Sequence, residues 1–178
     1  MPLPAPPPLL FLDVDGPLIP FGSPTPYPVH PLPPGLPGAT VNPLLARVDP
    51  GHGARLAALP CEPVWATTWL DEANECLAPL LGLEPLPVVV WPEPSEAEER
   101  DVRAGLPGKT RPLTAWAAGR PFAWVDDELT DRDGEWVAAH HPGPALLHRV
   151  DPRTGLTGRD FAALGAWLRH HGPERTVG

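Results

Sequence analysis

The segment LLFLDVDGPL, residues 9–18, carries an apolar run to two carboxylates two positions apart, Asp13 and Asp15, with Gly16 directly after them. Acids at i and i+2 on a strand point to one side, and where the strand ends a turn can bring both to one point. One acid can then attack as a nucleophile while its neighbour moves a proton as general acid and base. Taken alone, the pair would serve equally well to cap the next element. A second pair, Asp126 and Asp127, closes the apolar run PFAWVDD at 121–127, and Asp131 and Asp133 follow shortly after. Carboxylates crowded at one sheet edge repel unless protons or a cation compensate them, and hard oxygen ligands with open water positions select Mg²⁺. Read by itself, DDELTDRDGE is equally well described as a solvated acidic loop.

The basic residues add a compositional signal. Of 13 Lys and Arg residues only Lys109 is a lysine. A chain that uses arginine everywhere else and lysine here suggests a site for a compact ammonium charge rather than a planar fork, although one residue could fall at this place by chance. Thr67 and Thr68 end the weaker apolar run PVWATT at 63–68. A hydroxyl at a strand end, next to the free amides of a helix start, suits a phosphoryl oxygen, while a strand residue at 67 and a helix cap at 68 explain either threonine alone. The adjacent pairs His140–His141 and His170–His171 are expected at solvated or terminal positions, since neighbours on a strand point apart.

These residues need elements to hold them. Continuous apolar runs at 9–15, 86–91 and 121–127, with weaker ones at 63–68 and 145–150, predict five strands covered on both faces. Helices are expected near 51–59, 69–81, 95–104, 110–118 and 158–171, the last capped by Thr157 or Gly158, with Trp167 and Leu168 on the face begun by Phe161 and Leu164. Alternating strand and helix predicts an α/β domain with a parallel sheet, whose ligands bind beyond the carboxyl ends of the strands. The acids and threonines singled out above lie at those ends.

Nine prolines fall between Pro17 and Pro37. The segment 17–50 is therefore neither helix interior nor central strand; it is expected as a flap over the strand ends, with a long solvated loop as the alternative. The whole chain holds 30 prolines and 17 glycines in 178 residues, a level at which disorder is a serious reading, but seven tryptophans and the apolar runs argue for a folded domain. The expected organisation is one domain over 1–178 with 17–50 as an insertion. A net charge of -9 disfavours broad binding to nucleic acid or anionic membrane. Cys61 and Cys76 match no metal or redox spacing and are expected as free thiols. The opening MPLPAPPPLLFL has neither a basic leader region nor the length of a membrane span, so a soluble, cytoplasmic protein is expected.

The order Asp-x-Asp, Thr, Lys, Asp-Asp resembles the haloacid dehalogenase (HAD) superfamily, whose phosphatases carry four such motifs in this order. FLDVDGPL is similar to the first motif, VWATT to the second, Lys109 to the third and AWVDD to the fourth, over residues 9 to about 131. The opening also resembles HAD-like domains of bacterial RNA-repair-type proteins, where a WATxW segment is familiar. The resemblance implies a Rossmann-like three-layer fold, a small flap and no large cap. It implies that Asp13 is the nucleophile, that Asp15 is the general acid and base, and that Thr67 and Lys109 hold the phosphoryl group, with Gly16 and Thr68 beside them. It further implies Mg²⁺ held by Asp13, the Asp15 carbonyl and Asp127, with Asp126 and Asp131 in support. Receiver domains gather similar residues in a different order.

The implied reaction is hydrolysis of a phosphate monoester, either a small metabolite or a macromolecular phosphate. A nucleic-acid end is an alternative that the charge does not favour. A catalytically silent binding module and a polyproline ligand are the alternatives from other classes, and oligomerisation is left open.

Overall fold

The computed structural model describes residues 5–40, 42–93 and 95–173; both ends of the expected 1–178 domain, and Val41 of the expected flap, lie outside them. Among the described residues four strands form one parallel sheet: β1 (Leu9–Leu12), β2 (Glu62–Trp65), β3 (Phe122–Asp126) and β4 (Ala145–Arg149), in the order β2-β1-β3-β4. The helices are α1 (Gly51–Ala57), α2 (Ala78–Leu81), α3 (Glu96–Arg103), α4 (Thr110–Ala117), α5 (Asp131–His140) and α6 (Gly158–His171). The α/β class and the parallel sheet agree with the expectation drawn from alternating strands and helices.

The sheet is central because its strands are apolar on both faces. Leu10 and Leu12 of β1, with Val14 beyond it, pack with Leu56 of α1, Leu77 and Leu81 around α2, and Phe161, Leu164 and Leu168 of α6. Leu9 and Phe11 pack on the other side with Phe122 and Trp124 of β3, Leu113 and Ala117 of α4, and Val137 of α5. Three layers result. Each fully buried leucine or phenylalanine contributes about 1.5–3 kcal/mol, so β1, in which all four residues are at most 1% exposed, anchors the domain.

The fifth expected strand, 86–91, is not one: only Val88 bridges to Trp65, through Trp65 N to Pro87 O and Val89 N to Trp65 O, each 2.9 Å. The rung before it would need N–H donors from residues 63 and 87, and both are prolines. In the other direction, the Thr67 carbonyl that would continue the ladder is taken by the Trp91 indole at 3.1 Å.

Two other expectations change in detail. The helix expected over 69–81 is a turn, a π-helical turn at Ala73–Leu77 and the short α2, which ends at left-handed Gly82. α5 was not expected: Asp131 and Asp133 open a helix rather than a loop, with Thr130 and Asp133 forming a capping box. Thr157 caps α6 in the same way with Asp160. Of the positions expected for the histidine pairs, solvated or terminal, His141 is not solvated: it is the C-cap residue of α5 and is buried, its Nε2 3.0 Å from the Arg120 carbonyl oxygen.

The proline-rich segment is anchored in the core at its start, at Leu36 and near its end, while residues 20–35 are half-buried or exposed. Leu18, Ile19, Leu36, Leu45 and Val48 are buried, Leu45 from a 3₁₀ turn at Pro43–Arg47 capped by Asn42. Residues 17–21 are tied to 152–156 by Leu156 N to Pro17 O at 2.9 Å and Phe21 N to Pro152 O at 2.7 Å. A wholly solvated loop is therefore excluded. Among the described residues no helix is long and apolar enough to cross a membrane. Cys61 and Cys76 are free.

Candidate functional site

Strand alternation delivers the first acids. Asp13 follows Leu9 and Phe11 in phase, and Asp126 follows Phe122 and Trp124, so both carboxylates emerge on the face covered by α4 and α5. The backbone keeps the strands abreast to this point, with Asp13 N donating to Val125 O at 3.0 Å. β1 and β3 are also the pair between which the strand order changes direction, and the crevice beyond such a switch point is where open α/β sheets bind ligands.

Lys109 is the N-cap residue of α4 and reaches both acids: its Nζ lies 3.1 Å from Asp13 Oδ2 and 2.8 Å from Asp126 Oδ2. Asp126 also accepts from the Trp124 indole at 3.3 Å and from Glu128 N at 3.0 Å. Asp13 accepts from Val14 N at 2.8 Å. Asp127 completes the group, since one carboxylate oxygen from each of Asp13, Asp126 and Asp127 falls within 4.8 Å of the others. The backbone carbonyl of Asp127 is held by Arg149 Nε at 3.2 Å.

Three acids facing one lysine leave an excess of two negative charges when all are ionised. Burial and the neighbouring Asp126 push the Asp13 carboxyl up to about 7 against the pull of Lys109. Burial, and then Asp126, raise Asp127 as well. Burial works against the Lys109 ammonium, but Asp13 and Asp126 outweigh it and raise its pKa. This all-oxygen donor set, with its excess of two negative charges, fits a hard divalent cation.

Two conformational devices hold the group together. Gly16 has φ +91°, and a Cβ there would stand 2.6 Å from Asp127 Cγ, so Asp127 occupies the space a side chain would take. Asp133 is fully buried; it accepts from the Thr110 hydroxyl, and from Thr130 N and Thr130 Oγ1, each at 2.8 Å. It thereby ties the first residue of α4, next to Lys109, to the cap of α5.

Other expected residues are placed differently. After Val14, whose carbonyl accepts from both Leu18 N and Ile19 N, the chain turns and Asp15 becomes exposed. Its Oδ2 accepts from the Trp69 indole at 3.0 Å, and its side chain is not one of the grouped acids. Thr67 is fully buried and in strand phase with Val14 rather than Asp13; its Oγ1 accepts from Trp69 N at 3.2 Å. Thr68 is exposed and lines, with Lys109 and Asp126, a cleft of about 400 Å³. Asp131, expected to support Asp127, is an exposed first-turn residue of α5 outside the acid group.

The sequence points to Trp69 as a packing or pocket residue but not to its bond with Asp15, and Trp91, Arg149 and the tie made by Asp133 are not assigned from sequence. Only Asp133 left a local signal, the Thr-x-x-Asp spacing of a capping box. Comparison of the chain with known protein families, curated proteins and solved structures finds no match.

Proposed function

We propose that the chain is a Mg²⁺-dependent phosphatase of HAD-like type that hydrolyses a phosphate monoester through an aspartyl phosphate on Asp13. The observation that carries this reading is the Lys109 ammonium, held between Asp13 and Asp126 in a three-acid group at the sheet's switch point. The order of the motifs along the chain supports it.

In the proposed reaction Asp13 Oδ forms a bond to phosphorus as the bond from phosphorus to the ester oxygen breaks. Asp15, protonated at the start, gives its proton to that leaving oxygen. It then takes one from the water that attacks the acyl phosphate, which releases inorganic phosphate and regenerates both acids. The Trp69 indole on Asp15 Oδ2 fixes the orientation of this carboxyl and leaves Oδ1 to carry the proton. Lys109 offsets charge on nucleophile and phosphoryl group, and the exposed Thr68 hydroxyl, which lines the cleft with Lys109, is the candidate donor to a phosphoryl oxygen, whereas Thr67 is fully buried on the other strand face. Asp13, Asp126, Asp127 and the Asp15 carbonyl would hold Mg²⁺, which when bound neutralises charge on the transferring group.

The test is a panel of phosphomonoesters with Mg²⁺ present or chelated, run on wild type and Asp13→Asn. Turnover should require the metal and fall by orders of magnitude in the variant. Hydrolysis undiminished by Asp13→Asn would overturn the assignment, and a wild type inactive across the panel would favour a silent binding module.

A further inference from the structure

The cleft beside Lys109 has a composition unlike that of the acid group. Its apolar lining is Trp91, Pro92, Pro107, Trp124 and Leu129, and Lys109 and Asp126 line it as well. Both indoles have already spent their polar atom on the protein: Trp91 Nε1 on the Thr67 carbonyl at 3.1 Å, and Trp124 Nε1 on Asp126 Oδ2 at 3.3 Å. Trp91, the half-buried one of the two, offers a ligand hydrocarbon and ring, and Trp124 is only 2% exposed. The same two bonds fasten the cleft walls to residues of the proposed reaction centre.

We propose that this cleft receives the leaving group of the substrate and selects an uncharged aromatic one, so that the substrate class is an aryl phosphomonoester and the products are a phenol and inorganic phosphate. The proposal rests on the phosphatase reading for the phosphoryl half of the substrate; the aromatic half is argued from the cleft itself.

Three physical points carry the choice. About 400 Å³ lies within the range of small-molecule sites and suits a fused ring system. The Trp91 ring rewards an aromatic partner in offset or edge-to-face contact beyond what area burial gives. Among the described lining residues Lys109 is the only cation, and Asp13 and Asp126 already engage it, while Asp126, Glu128 and Asp133 supply three carboxylates. A leaving group with a second anionic group would meet repulsion without a partner, and a polyhydroxylated one would lose water to an apolar wall. Sugar phosphates, polyphosphorylated metabolites and acidic phosphopeptides are therefore disfavoured.

The test uses the full chain and two readouts. Calorimetric titration with naphthol, which has no phosphate, reports on the cleft independently of hydrolysis. Steady-state kinetics then compare naphthyl, cyclohexyl and glycerol phosphates. Wild type should bind naphthol and prefer naphthyl over glycerol phosphate in kcat/KM, and Trp91→Ala should shrink that preference roughly tenfold or more. Pro92→Glu at the exposed lip leaves both indoles in place and should weaken naphthol binding in the same sense, which covers the case in which the tryptophan variant fails to fold.

No naphthol binding, or naphthyl and cyclohexyl phosphates used equally well, would overturn the aromatic assignment while leaving the phosphatase reading standing. Naphthol binding without hydrolysis of any ester would support the cleft and overturn the phosphatase.

Discussion

Gly16 and Asp127 fit together as backbone and filler: a Cβ on Gly16 would stand 2.6 Å from Asp127 Cγ, and the Gly16 φ of +91° is one that side-chain-bearing residues rarely adopt. The first acidic strand end thus fixes where the second can put its carboxylate. Gly16→Ala should cost about 1–2 kcal/mol from backbone strain alone and push Asp127 away from Asp13. Urea unfolding should show the loss of stability. A Mg²⁺ titration of activity should show half-activation at higher metal concentration than in wild type.

Lys109 is 18% exposed at its side chain, between Asp13 at 9% and Asp126 at 2%. Lys109→Met leaves two buried acids without their cation, and breaking such a pair costs about 3–5 kcal/mol. Unfolding in urea with a chelator present should show a loss of that order. Turnover should fall by orders of magnitude, and Lys109→Arg should not restore it, because a planar fork does not replace a point charge between two acids.

The raised Asp13 pKa sets a pH dependence of stability. Its carboxyl goes from an ordinary 3.8 to about 7 in the fold, so across that interval the folded state binds the proton that the unfolded state has released. Stability from this group is full below 3.8 and is lost as pH rises through about 7. Asp127 is shifted in the same direction. Thermal unfolding in chelator should therefore show a Tm contribution from the site that declines from acid to neutral pH. Mg²⁺ should restore Tm at neutral pH, because it binds the ionised acids and displaces their protons.

Asp133 positions Lys109 through Thr110. Asp133→Asn leaves a fully buried site with one acceptor oxygen fewer for Thr110 and Thr130, and hydrogen bonds to a charged group are worth about 1.5–3 kcal/mol each. A loose α4 N-terminus should lower kcat more than it raises KM and move the pH profile of kcat. Thr110→Ser, which keeps the hydroxyl, should retain the wild-type profile, and Thr110→Val should not. A purely structural role would change Tm without moving the profile.

The acids and the lysine were legible from order and strand phase, because β1 and β3 are short, apolar and end where their carboxylates begin. Asp15 was legible as an acid at the turn but not as the partner of Trp69, which lies 54 residues away and meets it only after the chain bends. Run 86–91 looked like a strong strand because hydropathy does not register missing N–H groups, and Pro63 and Pro87 decide the ladder there. α5 is hidden in the sequence because its acidic first turn describes a solvated loop equally well, although acids belong at a helix N-terminus. The core contacts of Leu18, Ile19 and Leu45 were hidden because apolar residues scattered among prolines carry no period.

Asp13 should carry phosphate during turnover, and chemical trapping detects that intermediate. Wild type turning over p-nitrophenyl phosphate with Mg²⁺ is quenched in acid and reduced with borohydride, which converts an aspartyl phosphate to homoserine, and peptide mass spectrometry locates the change. The expected result is homoserine at position 13 in wild type and none in Asp13→Asn. Turnover accompanied by homoserine at another acid, or by none at all, would rule out Asp13 as the nucleophile.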